Sequence, residues 1–216
     1  MLIAPIKKRF LSGFIPRICG NLGKLTSEER AILLSHVKGK VLDLGCGSGA
    51  YMRFFRNATH VVALEPMSEL HAVIREEAEQ WLPQHTTMDV VSLHLDEYLN
   101  QYPDQVGTFD WVILGNVLCE VPCVETTLRS VNQILKDEGQ VYFSEHIGCK
   151  CSSWQRRLQN MLNPWWKTVS GGCNINRDSL DLIQAIPDWE VISWNFHTLR
   201  VGLGPFVLGL AQKKKR

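Results

Sequence analysis

Residues 41–50 contain the acid and the glycines on which the chemistry of this chain depends. Their sequence is VLDLGCGSGA: an apolar run carries Asp43 and then breaks into glycines at Gly45, Gly47 and Gly49. Glycine has no Cβ, so it lets a backbone bend tightly and approach a ligand closely. The pattern is typical of a buried parallel strand that turns into a helix. We therefore predict that a nucleotide-like ligand binds at this turn, in contact with the three glycines and Cys46.

A second acid follows at the end of another apolar run. Residues 61–64 are Val-Val-Ala-Leu, and Glu65 comes directly after them. In a strand–helix–strand unit, an acid at this spacing hydrogen-bonds the hydroxyl groups of a ribose. We therefore place Glu65, together with the adjoining Pro66 and Met67, among the candidate cofactor contacts.

Two cofactors are compatible with such a turn. Gly45, Gly47 and Ala50 match G-x-G-x-x-G/A, the fingerprint in which a pyrophosphate lies on a helix N-terminus, and this leaves an NAD-dependent oxidoreductase as the alternative. S-adenosylmethionine has no phosphate, so its site needs close backbone approach and an acid for its ammonium group. Asp43 lies two residues before the first glycine, where its charge would oppose a pyrophosphate. The sequence therefore favours S-adenosylmethionine.

Four more candidates lie where predicted strands end. Residues 110–114 predict the fourth strand, which is followed by Asn116 and Val117, and the third predicted strand ends at Leu93, before His94. Ligands of α/β sheets bind at the carboxyl ends of the strands. We therefore expect these four residues to contact the cofactor, with Leu93 and His94 beside the adenine.

The fifth predicted strand, residues 140–146, ends in Glu145 and His146 at the same edge. An imidazole there could accept a proton from the substrate, with Glu145 as its orienter or as a cofactor contact. A histidine that only packs or caps at this position is the alternative. His146 is the one catalytic candidate.

Residues 147–176 predict an insertion after the fifth strand. They carry Trp154, Trp165 and Trp166, contain no acid, and are interrupted by Pro164 and by two glycines. Such a segment resembles a lid over an apolar substrate. The alternative is an amphipathic helix that simply packs on the core.

The predicted elements alternate between strand and helix. We expect an α/β fold with a Rossmann-like, seven-stranded, mostly parallel sheet, an antiparallel C-terminal strand and helices on both faces. The last two strands, over 189–199 and 204–212, should form a hairpin. Helices are expected over 26–36, opened by a capping box of Thr26 and Glu29, and over 50–56, 68–81, 122–136 and 177–186.

The charge is divided unevenly along the chain. Residues 1–24 hold five basic side chains and no acid, and residues 213–216 are all basic, so the remainder holds 14 basic against 22 acidic side chains. An acidic body argues against a broad nucleic-acid surface. The basic N-terminus could contact an anionic membrane or be a frayed tail. No run reaches the roughly 18 apolar residues that a spanning helix needs.

We expect one domain over 26–216, a basic segment over 1–25 and the lid-like insertion, residues 147–176, within the domain. The seven cysteines are an odd number, which favours free thiols in a reducing compartment. Cys149, Cys151 and Cys173 lack the spacing of a zinc site, so we expect no metal.

The D-x-G-x-G-x-G motif resembles that of the class I S-adenosylmethionine-dependent methyltransferases. Over residues 38–212 the chain is similar to the methyltransferase-like seven family of membrane-associated thiol S-methyltransferases. The similarity rests on residues 117–121, residues 142–146, Cys151-Ser152-Ser153-Trp154, Asn163-Pro164-Trp165 and Gly172-Cys173-Asn174. It implies S-adenosylmethionine as cofactor and a small apolar acceptor, most simply a thiol.

The resemblance also implies a location in the cytoplasm or on the cytoplasmic face of the endoplasmic reticulum. The family attaches to membranes through a long apolar N-terminus, whereas this N-terminus is short and basic, which also leaves a mitochondrial location open. A non-catalytic scaffold is the third alternative for function. The acceptor and the oligomeric state are not determined by the sequence.

Overall fold

The computed structural model describes residues 26–150, 153–198 and 205–215. Its centre is a seven-stranded sheet in the order β3-β2-β1-β4-β5-β7-β6. Strand β7 runs antiparallel to both of its neighbours, and the other pairs in the sheet are parallel. The strands are β1 Lys38–Leu44, β2 Asn57–Leu64, β3 Thr87–Val91, β4 Phe109–Gly115, β5 Leu135–His146, β6 Trp189–Thr198 and β7 Pro205–Lys213.

Five of the six described helices cover the two faces of the sheet. One face packs against α3, α4 and α6, and the other against α1 and α2, so each face has its own apolar core. This confirms the predicted fold class. The helices are α1 Ser27–Leu34, α2 His71–Trp81, α3 Leu95–Gln101, α4 Val124–Ile134, α5 Trp154–Val169 and α6 Ser179–Gln184.

The middle of the sheet is buried on both sides, which explains its continuous apolar runs. Leu42 on β1 and Ile113 on β4 are fully buried. Burying each such side chain contributes about 2 kcal/mol. Asp43 lies between Ala63 of β2 and Ile113 in register, so the sheet holds this acid rigidly at its centre.

The helix expected over 50–56 is wrong. The chain forms only a 3-10 turn at Met52–Phe54, because β2 begins at Asn57 and leaves no room for a longer helix. The glycine turn is therefore not followed by a helix whose dipole could hold a pyrophosphate. This removes the structural basis for the dinucleotide alternative.

The capping box expected at Thr26 and Glu29 is also wrong. Thr26 makes no side-chain cap, and its hydroxyl instead accepts a hydrogen bond from Arg30. Glu29 accepts hydrogen bonds from Asn195 and from the ring Nε2 of His197, both at 2.6 Å. Contacts with β6 thus replace the local cap.

Other boundaries differ from the predictions by a few residues. The helix expected from residue 68 begins with a 3-10 turn, Ser68–Leu70, and continues as α2. The helices expected over 122–136 and 177–186 are shorter than predicted and correspond to α4, Val124–Ile134, and α6, Ser179–Gln184. The sequence analysis missed helix α3. His94 caps the start of this helix, and its backbone N–H donates to the side chain of Glu97 at 2.9 Å.

The predicted hairpin is confirmed, because β6 and β7 pair antiparallel from Trp189↔Lys213 to Thr198↔Pro205. The expected basic segment 1–25 and Cys151 lie outside the described residues. Within the described part of the chain, no cluster of three or more His, Cys, Asp or Glu side chains could hold a metal. Within that same part, no helix is long and apolar enough to cross a membrane.

Candidate active site

The glycine turn presents open backbone at the carboxyl end of β1. Gly45, Gly47 and Gly49 all have positive φ, which explains why glycine stands at each position. A Cβ on Gly45 would lie 2.7 Å from Val117 Cγ2, so the turn packs tightly there. A Cβ on Gly47 would meet no atom within 4 Å. The space above Gly47 is therefore the place where a ligand can approach the backbone.

Glu65 closes the other side of this space. Its side chain is buried, with Oε2 accepting from the backbone N–H of Gly47 at 2.9 Å and Oε1 from that of Met67 at 3.0 Å. A carboxylate has about four acceptor positions. Glu65 is thus fixed in orientation by two backbone groups and retains capacity to accept hydrogen bonds from two ribose hydroxyls.

Asp43 lies beneath the turn and is buried to 1% exposure. Burial, and next the charge of Glu65, raise the pKa of Asp43 to about 8. Its Oδ2 has no hydrogen-bond partner within the described structure. A buried oxygen in this state is costly unless a ligand donates to it. An ammonium group would satisfy it, so the site fits the amino-acid end of S-adenosylmethionine.

Cys46 lies within the same turn. Burial, followed by the charges of Asp43 and Glu65, raises the pKa of its thiol. The thiol therefore stays protonated, and its role is packing rather than nucleophilic attack.

Asn116 adopts φ 59°, one of two non-glycine residues of the described chain with positive φ. Its Oδ1 is buried without a partner there. Strained backbone of this kind often marks a functional position. Next to it, the N–H groups of Val117 and Leu118 donate to Oε1 of Glu145 at 2.9 and 3.0 Å. Glu145 therefore fixes this loop.

The structure places the remaining cofactor candidates at the same edge of the sheet, after β2 and β3. Pro66 and Met67 follow β2 and are exposed. Leu93 packs against the core after β3, and His94 begins α3. These four residues form the outer, β3 side of the site.

His146 ends β5, and its ring packs edge-on against Phe206 at 5.1 Å between centroids. Burial lowers the pKa of His146 to about 4. Its Nδ1 is buried without a hydrogen-bond partner within the described residues. The imidazole is neutral at pH 7 and is a weak base.

Glu120 is a functional candidate that the sequence analysis missed. Burial, and next the charge of Glu65, raise the pKa of Glu120 to about 7. Its negative charge also opposes the ionisation of Cys119 and Cys173. The side chain of Glu120 is exposed, within electrostatic range of Glu65 in the cleft and of the two thiols. Its position four residues after Asn116 was the available signal.

Arg30 on α1 is a second missed candidate. Its side chain is buried, its guanidinium stacks 5.3 Å from the centroid of the Tyr51 ring, and its Nε has no partner in the described structure. No ion pair joins it to a described carboxylate. Tyr51 in turn occupies the space beside Gly115, at the end of β4. The site therefore contains a buried cation without an anion.

The insertion is fixed over the β4–α4 loop by polar contacts. Asn174 donates to the carbonyl oxygen of Cys119, and Arg177 donates to that of Leu118. These contacts bring Cys119, Trp166, Cys173 and Ile175 into a small buried cluster. A hydrogen bond between the two thiols raises the pKa of Cys119 and lowers that of Cys173.

Two cavities lie outside this cleft. The larger, about 510 Å³, is at the amino ends of the strands between Lys38, Asp110 and Lys136. Ligands of such sheets bind at the opposite edge, so we do not assign the larger cavity to catalysis. The smaller, about 350 Å³, lies after β5 between Gly148, Lys150 and Phe196, on the side of the insertion.

Comparison with known families and structures supports this interpretation of the cleft. Residues 16–191 match the model of a methyltransferase domain. Human thiol S-methyltransferase TMT1A is 30% identical over 200 residues, covering 86% of this chain and 74% of the relative.

Solved structures share the fold at low sequence identity. One is a protein from Bacillus halodurans C-125 that is named a putative methyltransferase. Its TM-score is 0.68 at 15% identity, and the match covers 87% of this chain and 98% of the Bacillus chain. Another is the N-methyltransferase NodS from Bradyrhizobium japonicum WM9, solved with S-adenosyl-L-homocysteine. Its TM-score is 0.63 at 11% identity, and the match covers 88% of this chain and 86% of the NodS chain.

Proposed function

The chain belongs to the methyltransferase-domain family that includes the thiol S-methyltransferases, and from this premise we propose that its acceptor is the thiol of a small apolar molecule. It is an S-adenosylmethionine-dependent methyltransferase. The observation that carries the thiol proposal is the buried apolar cluster at the base of the insertion, which contains Cys119, Trp166, Cys173 and Ile175, since an apolar acceptor needs an enclosed apolar site. The similarity to TMT1A supports the same choice.

We propose that the two acids divide the cofactor between them. Glu65 binds the ribose hydroxyls, and the partnerless Oδ2 of Asp43 accepts from the ammonium group. The backbone of Gly45, Cys46, Gly47 and Gly49 lines the floor. Asn116 and Val117 form the β4 side and Pro66, Met67, Leu93 and His94 the adenine side.

The buried guanidinium of Arg30 completes this assignment. A cation that is buried without an anion is costly, and the α-carboxylate of S-adenosylmethionine would neutralise it. The residues outside the described ranges cannot supply the anion from a side chain, because residues 1–25, 151–152, 199–204 and 216 contain no Asp or Glu.

When bound, S-adenosylmethionine would supply its sulfonium methyl group to a thiolate that attacks the methyl carbon in line, and S-adenosylhomocysteine would leave as the old carbon–sulfur bond breaks. The tasks of the protein are to align the acceptor, exclude water and take up the thiol proton. We propose that the insertion provides the alignment, because Asn174 and Arg177 fix it over the loop that carries Asn116.

Two residues are candidates for the proton acceptor. An ordinary thiol has a pKa near 8.5. Transfer to His146, with a pKa of about 4, is strongly uphill, whereas Glu120, with a pKa of about 7, is much closer. We assign the proton to Glu120 and propose that the neutral His146 imidazole hydrogen-bonds the acceptor.

Calorimetric titration tests the assignment at the level of the cofactor. S-adenosylhomocysteine should bind, and NADH in a parallel cell should not, because the three-residue turn after the glycines offers no helix N-terminus. Binding of NADH alone would favour an oxidoreductase. If neither NADH nor S-adenosylhomocysteine binds, a non-catalytic scaffold is favoured. A panel of alkyl thiols against the matching alcohols and amines then tests the acceptor, and methylation of the alcohols or amines in preference to thiols would contradict it.

The place of action is a separate proposal. We propose a cytoplasmic enzyme that contacts membranes peripherally through its basic residues 1–24, with mitochondria as the alternative location. Fractionation of cells that express the tagged chain distinguishes these locations.

A further inference from the structure

Helix α5 presents its apolar side to solvent. Trp154, Met161, Leu162 and Trp165 are 69%, 70%, 40% and 56% exposed. At 100° per residue these positions share one stripe about 100° wide. The surface therefore carries two tryptophans and two long aliphatic side chains side by side. A contiguous apolar patch of this kind marks an interaction site.

The polar side of the same helix faces the protein and is held there by backbone partners. Gln159 accepts from Cys149 N–H and donates to Ile175 O, both at 2.8 Å. Asn163 Oδ1 accepts from Ile175 N–H at 2.9 Å, and Arg156 Nε donates to Cys149 O at 2.7 Å. Rotating the helix to bury its apolar stripe would break all four hydrogen bonds. The outward orientation is therefore a fixed property of the fold.

The surroundings of the stripe are cationic. Residues 147–177 contain no acid, and their exposed charges are Lys150, Arg157 and Lys167. The neighbouring β6 adds Phe196, which is 52% exposed and lines a cavity with Lys150 and Arg156 and also with Asp178 and Asp181, which follow this region. Outside residues 147–177 the chain has more acidic than basic side chains, so the positive charge of this region is local.

We propose that α5 lies in the surface of an anionic lipid bilayer. An apolar stripe with flanking cations is the pattern of interfacial helices, and tryptophan favours the headgroup level. A second copy of the chain is a poorer occupant. A twofold contact through this face would bring Arg157, which lies beside the stripe, close to Arg157 of the other copy, where like charges repel.

Co-sedimentation of the full chain with vesicles tests the proposal. The double variant Met161→Gln, Trp165→Gln should bind phosphatidylcholine–phosphatidylserine vesicles at least about tenfold more weakly than the wild type. The control Ile32→Gln changes a side chain on α1 that is also 70% exposed and should leave binding unchanged. S-adenosylhomocysteine affinity should be equal in all three proteins, which shows that they are folded.

Charge is tested separately. Lys150→Gln with Arg157→Gln should remove the preference for vesicles that contain phosphatidylserine over pure phosphatidylcholine. Equal vesicle binding by the wild type and the Met161/Trp165 variant would overturn the proposal. If only deletion of residues 1–24 abolished binding, the membrane contact would lie in that segment and not in α5. Dissociation of a wild-type dimer by that variant in sedimentation velocity, without an effect on vesicle binding, would assign the face to self-association instead.

Discussion

Asn174 donates both its backbone N–H and its side-chain Nδ2 to the carbonyl oxygen of Cys119, each at 2.9 Å. The two residues are far apart in sequence, one at the end of the insertion and one on the loop after β4. This double contact is what holds the insertion over the cleft and brings Cys173 beside Cys119.

Removing the side-chain half of that contact should destabilise the protein. Asn174→Ala leaves a buried carbonyl with fewer donors, so we expect a loss of about 1–2 kcal/mol in the free energy of unfolding. Urea denaturation measures it. Asn176→Ala is the control, because that side chain bonds only Asn160 at the surface and its loss should change stability by less than about 0.5 kcal/mol. Equal effects would show that the contact contributes little.

The open space above Gly47 predicts a selective loss of cofactor affinity. Gly47→Ala points a methyl group into that space, and S-adenosylhomocysteine should bind about tenfold or more weakly. Gly107→Ala is matched to it, since Gly107 also has positive φ and open surroundings but lies at the other edge of the sheet. Both variants carry the same backbone strain. Calorimetry that finds the two equally weakened would place the cofactor elsewhere.

The role assigned to Arg30 can be tested by changing the ligand as well as the protein. Arg30→Met should weaken binding of S-adenosylhomocysteine by tenfold or more, since a buried ion pair is lost. 5′-Methylthioadenosine has no carboxylate, so its affinity should stay the same. Calorimetry with both ligands distinguishes binding of the carboxylate by Arg30 from a purely structural role. A similar loss of affinity for both ligands would mean that Arg30 only supports the fold through Tyr51.

The pKa values of Glu120 and His146 predict the pH dependence of turnover. A carboxylate base acts only when ionised, so kcat/KM should rise as the pH increases through about 7 and level off above it. Glu120→Gln should lower kcat/KM and flatten this rise. His146→Phe should reduce turnover without changing the profile between pH 6 and 8, because His146 titrates near 4. A rise whose midpoint stays near pH 7 in Glu120→Gln would exclude Glu120 as the base, because ionisation of the free thiol alone gives a rise toward pH 8.5.

The sheet could be predicted because its strands are marked by short-range patterns. The runs ending at Leu64 and Leu114 are apolar throughout, the run ending at Leu44 is interrupted only by Asp43, and a glycine or an acid follows each of the three directly. The carboxyl edge and its acids follow from that pattern. Asp43 and Glu65 were therefore available from the sequence, and the structure places both at the same turn.

The missed features depend on residues that are distant in sequence. Glu29 looks like part of a local cap, but Asn195 and His197 on β6 compete for it. Arg30 reads as an ordinary helix-surface charge until Tyr51 packs over it. The pairing of Cys119 with Cys173 similarly requires the folded insertion. No short-range pattern records such partners.

The position of β7 has a consequence for the order in which the protein is made. Residues 205–213 are the last of the seven strands to leave the ribosome, yet they fit between β5 and β6, where β5 pairs with them from Gln140↔Gln212 to His146↔Phe206. Until then β5 has an open edge on that side, and unpaired edges favour aggregation. His146 also lacks its Phe206 neighbour in every shorter nascent chain. The nascent chain therefore acquires its complete catalytic edge only after residues 205–213 have been made, and a ribosome that stalls before residue 205 leaves an inactive, aggregation-prone product.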